Sequence, residues 1–221
     1  MGGDWRTADR SSAGIAPDPA TTPEPILQAY GARAFRWRGA FAVHTWIAVK
    51  RQGADHFTTY EVVGWRHWQG LSAVARTDGP PDRHWFGSRP TVYLDRRGEG
   101  VEALIDKVEA AIEAYPFKDT YRTWPGPNSN TFTAYVARAV PELGLELPPH
   151  AIGKDYLGAT DFVASAPSGT GYQISLFGLF GLLVAREEGL EVTILGLTFG
   201  IDPLDLAIKL PGVGSIGPGA T

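Results

Sequence analysis

Two runs of aromatic and β-branched residues constrain this chain more than any other feature: AFAVHTWIAVK at 40–50 and HFTTYEVVGWRHW at 56–68, joined by RQGAD. Such residues suit the pleated, half-buried surface of a sheet. Gly53 supplies the turn, so the two runs read as an antiparallel hairpin. Alternation puts Ala42, His44, Trp46 and Ala48 on one face, and Phe41, Val43, Ile47 and Val49 on the other. A turn near Gly53 sets Val63 opposite His44, with Glu61 and Trp65 diagonal on the same face. A slip of one residue removes Glu61 from that face. HWFGSRPTVYLDRRG at 84–98 reads as a third strand interrupted by Pro90, which places the strand region at about 34 to 97.

Helices follow. In VEALIDKVEAAIEA at 101–114 the residues Val101, Leu104, Ile105, Val108, Ala111 and Ile112 form one apolar stripe at helical spacing, and Pro116 stops it. A second helix begins near Ser129, because Phe132, Tyr135, Val136, Ala139 and Val140 repeat the spacing until Pro141, which ends it or starts a short further turn. Beyond it, GYQISLFGLFGLLVAREEGLEVTILGLTFGID has apolar runs on either side of Arg-Glu-Glu-Gly, the pattern of a hairpin. The fold class is therefore α+β: an antiparallel sheet packed on two or three helices, with a carboxy-terminal β-hairpin. Residues 1–26, rich in Ala, Pro, Thr and Ser without an apolar period, read as a flexible tether or surface-hugging arm with Trp5 as a local anchor. Residues 27–210 form a single globular domain, and 211–221 a loose tail.

Composition excludes several classes of function. With no cysteine among 221 residues there is no thiolate nucleophile, no disulfide and no thiolate zinc site. His56, His67, His84 and His150 lack metal-ligand spacing, so neither a metal nor a cofactor is expected. Ser-Gly-Thr-Gly at 168–171 lacks the Gly-Lys-Ser/Thr ending of a phosphate loop. A net charge of −4 argues against nucleic acid as a partner. The longest apolar run, residues 172–184, is short of the roughly 20 residues that cross a bilayer, and the start of the chain is not a signal peptide.

The chemistry-bearing stretch is WPGPNSNTF, residues 124–132. Two prolines stiffen the entry to a helix whose first turn offers unpaired N–H groups and the positive end of the dipole. Ser129 at that junction is a candidate nucleophile, with N–H groups near Ser129 and Asn130 as an oxyanion hole. His44, in its strand, is the candidate base, and Glu61 the acid that orients it, with His56 as the alternative third member. Asn128, Asn130, Trp124, Arg122 and Tyr121 are candidate substrate-binding residues, alongside Lys118 and Asp119. Each has a plainer reading. Ser129 and Asn128 are both good helix caps, His44 suits a satisfied core histidine, Glu61 a solvated strand residue, and the charges at 118–122 an exposed linker.

VHTWIAVK, YRTWPGPNSNTF and LPPHAIGKDYLG together resemble an uncharacterised bacterial family, domain of unknown function 3750, over nearly all of residues 30–210. The order of strand His, hairpin partner and Asn-X-Asn helix start is also similar to the circularly permuted papain-like superfamily, which includes lecithin:retinol acyltransferase-like and PPPDE-type proteins. Those proteins mostly place Cys where this chain has Ser129. The resemblance implies a permuted papain-like fold and a serine hydrolase or acyltransferase acting on an amide or ester. It also implies a periplasmic or cell-envelope location, with a hydrophobic anchor ahead of the tether. The expected partner is a peptide, glycan or lipid-derived small substrate. The apolar carboxy-terminal region offers contact with a membrane surface. The alternative is an envelope binding module that kept the cleft and lost the chemistry.

Overall fold

A computed structural model describes residues 6–219; Trp5 and Met1 to Gly3 lie outside the described residues. Five strands, β1 (Ile26–Arg33), β2 (Val43–Lys50), β3 (Thr58–Val62), β4 (Val74–Asp78) and β5 (Thr91–Arg97), form an antiparallel sheet in the order β4-β3-β2-β1-β5. One face carries Leu27, Ala29, Val43, Ile47, Val49 and Leu94 against two helices. The short α1 (Gly64–Trp68) follows β3; the packing helices are α2 (Val101–Glu113) and α3 (Ser129–Ala139). Burial of Val101, Ile105, Val108, Ala111 and Ile112 on α2 follows the predicted stripe. α3 runs from Ser129 as expected, and Pro141 opens a 3-10 turn, Pro141–Leu143. The chain is thus an α+β protein with two antiparallel sheets.

The hairpin register is the one read from the turn. Ile47 faces Tyr60, Ala48 faces Thr59 and Val49 faces Thr58; the same register continued would set Val63 across from His44, but the two strands part before reaching it. Three boundaries differ from expectation. The strand region begins at Ile26, not near 34, because ILQAYGAR is a strand between β2 and β5. The run 56–68 is not one strand: β3 ends at Val62 and Gly64 starts α1, where a Cβ would lie 2.5 Å from the Tyr121 ring. β5 starts after Pro90, since a proline cannot donate to a ladder.

On the sheet's second face Tyr30 stacks on Trp46 with ring centroids 5.7 Å apart, beside Phe57, Val63, Ala75 and Trp85. The amino-terminal arm covers this side. Asp82, 1% exposed, accepts hydrogen bonds from the Ser12 hydroxyl and from the Ile15 and Ala16 N–H groups, and Ser12 pairs with Arg83 as a β-bridge. Residues 12–16, inside the segment read as a tether or surface-hugging arm, are therefore fastened to the domain.

The carboxy-terminal third is larger than a hairpin. β6 (Val163–Ser165), β7 (Gly171–Leu176), β8 (Phe180–Ala185), β9 (Gly189–Ile194), β10 (Leu197–Asp202), β11 (Ala207–Leu210) and β12 (Gly214–Ile216) form a seven-stranded meander. The predicted Arg-Glu-Glu-Gly turn is the β8–β9 connection, and the expected loose tail contributes β12, paired with β11. The inner side of this sheet is polar. Lys154 and Lys209, both 1% exposed, bond opposite oxygens of the Glu191 carboxylate at 2.5 and 3.3 Å, and Lys209 also reaches Glu146 at 2.5 Å. Arg138 of α3 donates to the Ser165 carbonyl and to the Gln173 side chain. The outer side is apolar.

Asp82→Ala leaves two half-buried backbone donors and a hydroxyl without their acceptor, at a cost of about 1–3 kcal/mol. The expected result is a lower urea midpoint and faster tryptic cleavage at Arg10. Cleavage and midpoint identical to the parent protein would show that Asp82 does not hold the arm.

Candidate active site

β2 and β3 separate beyond the Ile47–Tyr60 pair, while β3 stays paired with β4 through Val62. Beside that divergence lies a cavity of about 630 Å³. His44, Ser129, Asn128 and Asn130 line it, as do Tyr121 and Trp124. Five of the chain's seven tryptophans (Trp37, Trp65, Trp68, Trp85 and Trp124) form part of its wall, so most of what a ligand would touch is apolar. Its charged side chains among the described residues are Arg10 and Arg38.

His44 is held on three sides. Its Nε2 lies 2.7 Å from Glu61 Oε2, its ring stacks on Trp85 at 3.6 Å, and Trp46 lies next to it in the same layer. The other Glu61 oxygen accepts from Arg83, whose guanidinium sits over the Trp46 and Trp85 rings. Burial pushes the His44 imidazole below its ordinary pKa, and the Glu61 hydrogen bond and charge only partly offset that. Burial works to raise Glu61, but the His44 hydrogen bond and the Arg83 charge outweigh it and hold the carboxyl below its usual range. Glu61 is therefore a carboxylate and His44 a neutral imidazole at neutral pH. A carboxylate only accepts, so Nε2 carries the proton and Nδ1 keeps a lone pair that no described residue engages.

At the start of α3 the cap is Asn128. Its Oδ1 accepts from the N–H groups of Asn130 at 2.9 Å and Thr131 at 3.2 Å, and the Thr131 hydroxyl accepts from the Asn128 N–H. Asn128 Nδ2 donates to the carbonyls of Thr123 and Ile152. Asn130 donates to the carbonyls of Val43 and Ile152 and accepts from the Thr45 hydroxyl. Ser129 is the first helical residue and does no capping; its hydroxyl and its N–H have no hydrogen-bond partner among the described residues. Ser129 Oγ and His44 share the cavity wall without a hydrogen bond between them. The expected pair of oxyanion donors is reduced to one, because the Asn130 N–H is spent on the cap.

Tyr121 packs over Gly64 in the wall, and burial raises its hydroxyl pKa. Trp124, in a turn with cis peptide bonds before Pro125 and Pro127, donates from Nε1 to the Leu195 carbonyl. Arg122 is exposed and does not line the cavity. His56 is exposed, bonded to Asp55, and is not part of the wall. Sequence reasoning passed over Trp85 and Arg83, which complete the surroundings of the His44–Glu61 pair. The lone signal for them was an Arg-His-Trp cluster after Asp82.

The fold and site define an α+β protein with a buried histidine–carboxylate pair at a tryptophan-lined cavity. Residues 24–156 match the family model described as "Protein of unknown function (DUF3750)", which is more than half of the chain, and the protein belongs to that family. The match spans the whole five-stranded sheet and every candidate site residue. No curated protein and no solved structure matches the chain.

Glu61→Gln removes the charge that favours the imidazolium while leaving Arg83 nearby. The His44 midpoint, followed by NMR of the ring nitrogens, is expected to move to lower pH than in the parent protein. A midpoint that stays or rises would remove Glu61 as its partner.

Proposed function

We propose that the protein is a serine hydrolase or acyltransferase acting on an amide or ester whose acyl or leaving group is apolar. The observation that carries this reading is the His44–Glu61 hydrogen bond: it leaves a neutral imidazole with one unengaged nitrogen in the wall that also holds an uncapped Ser129. In the reaction, Ser129 Oγ attacks the carbonyl carbon and its proton passes to His44 Nδ1. That proton then leaves with the departing amine or alcohol. Water, or an acceptor hydroxyl or amine, attacks the acyl-serine ester by the reverse path and regenerates both groups. Glu61 accepts throughout from Nε2 and stabilises the imidazolium; the Ser129 N–H is the available oxyanion donor. The two reacting atoms make no hydrogen bond in this structure, so their approach is part of the proposed cycle.

The order of strand histidine and helix-start nucleophile supports a distant relation to the permuted papain-like proteins, with Ser in place of Cys. That relation in turn favours a substrate from the cell envelope, a peptide, glycan or lipid derivative. A second reading, a binding module without chemistry, draws on a specific observation: the Asn128 cap consumes two first-turn donors and leaves a thin oxyanion hole.

The two readings part on reactivity. A fluorophosphonate probe is expected to label the protein at Ser129. Ser129→Ala abolishes labelling with an unchanged melting curve, and His44→Gln slows it by about 10²–10⁴-fold. Absence of labelling, or labelling that persists in Ser129→Ala, leaves the binding module.

A further inference from the structure

We infer that the outer face of the carboxy-terminal meander is a lipid-docking surface that seats the protein on a membrane, with the cavity mouth at its margin. The inference does not rest on Ser129 chemistry. It starts from a sheet whose polarity is reversed. On β7 the outward residues are Tyr172, Ile174 and Leu176; on β8, Phe180, Leu182 and Val184; on β9, Leu190, Val192 and Ile194. Phe199 and Ile201 on β10, Ile208 on β11 and Ile216 on β12 continue the face. These thirteen side chains are each 40–73% exposed. They make a patch on the order of 1,000 Å², above the roughly 300–600 Å² of a typical monomer's largest patch.

The turns follow the same rule against a conformational cost. Phe177 and Leu195 hold φ of 58° and 53°, each followed by a glycine with positive φ. Tight hairpin turns of this kind favour Asn-Gly or Asp-Gly. Here bulky apolar residues take the left-handed position and project 47% and 54% exposed. A soluble turn gains nothing from that choice, whereas an apolar medium does.

Lipid fits this face better than a protein. Protein interfaces carry about one hydrogen bond per 100–200 Å². The outward strand positions offer two polar side-chain groups, the hydroxyls of Tyr172 and of Ser165 opposite it on β6. A bilayer asks for none. At the cavity, Trp124 is 52% exposed and bonded to the Leu195 carbonyl, and Gly212 of the β11–β12 turn packs on Phe41. The meander and the mouth thus meet at two points. Trp37, 76% exposed, stands between exposed Arg36 and Arg38, a pairing of indole and cation suited to an anionic interface. No helix among the described residues is long and apolar enough to cross a membrane, so this contact lies along the surface.

The test is flotation of the full chain with phosphatidylcholine vesicles and with 4:1 phosphatidylcholine–phosphatidylglycerol vesicles, with tryptophan emission as a second readout. The parent protein is expected to float on both, more on the anionic ones, with a blue shift. Leu182 and Val192 face each other across β8 and β9. The pair L182K/V192E adds opposite charges without changing net charge and is expected to lower partitioning by about tenfold or more at an unchanged melting temperature. If that pair unfolds, I174T/I208T serves, with β-branched replacements at exposed positions. Ser129→Ala floats like the parent, which separates this proposal from the catalytic one. Failure to float on either vesicle overturns it, as does equal flotation of the folded sheet variants. A dimer that the sheet variants dissociate, without vesicle binding, would assign the face to a second copy instead.

Discussion

The buried cluster of Lys154, Glu191 and Lys209 sets the character of the whole carboxy-terminal sheet. Burial works against the Lys154 charge, but Glu191 and Asp155 outweigh it and keep the ammonium. Removing one partner of such a group typically costs about 3–5 kcal/mol, so the cluster tolerates no strand slip. Strand side chains alternate with period two. Once Glu191 points inward, Leu190 and Val192 must point out, and the antiparallel register carries this to Leu182 and Val184 on β8 and to Phe199 and Ile201 on β10. Thr193, Thr198 and Asp202 join the inner layer by the same parity. The apolar outer face is therefore the other half of a polar interior. A register slip that turned these residues inward would break the ion cluster that joins the meander to the rest of the chain.

A second junction works by division of labour among four consecutive residues. Asn128 caps the helix, Asn130 ties α3 to β2 and to the segment near Ile152, and the Thr131 hydroxyl donates to the Gly153 carbonyl. Each asparagine spends its side chain on backbone groups that burial would otherwise strand. The placement of Ser129 is thus fixed by its neighbours, and its own hydroxyl and N–H are left over. That residue is the exception in a segment where every other polar group has a structural task.

Legibility in the sequence tracked how local the determining interaction was. The α2 stripe and the α3 start depend on spacing within one element, and both were readable. The β2–β3 register was readable from a turn at Gly53, and with it the His44–Glu61 diagonal. β1 was not, because ILQAYGAR follows Pro25 and carries Gln28 and Gly31, and what makes it a strand is burial between β2 and β5. The carboxy-terminal hairpin was readable as β8 and β9, but its extension to seven strands was not, because β11 and β12 are short and rich in neighbouring glycine and proline, so that pairing, not propensity, defines them. For residues 12–16 the sequence left a tether and a surface-hugging arm equally open, because the residue that fastens them, Asp82, lies some seventy positions away. The wall of the candidate site suffers the same limitation: Trp85 and Arg83 reach His44 and Glu61 through the fold alone.

The cavity itself follows from a change of partner along β2. From Val49 to Ile47 one edge of β2 pairs with β3, and its other edge pairs with β1 throughout. Past that point β3 follows β4, and the β2 backbone at Val43 is satisfied from elsewhere: its N–H donates to the His150 carbonyl and its carbonyl accepts from Asn130. A strand that continued pairing with β3 would bring Val62 and Val63 against His44 and Thr45 and close the gap. Because the pairing switches, His44 projects from a strand edge that is hydrogen-bonded to the segment holding α3, next to a space that neither element fills. Aromatic rings then line that space at little conformational entropy, beside the imidazole nitrogen that Glu61 leaves bare. Pairing geometry, rather than any one side chain, is what brings a helix start and a strand histidine to the same wall.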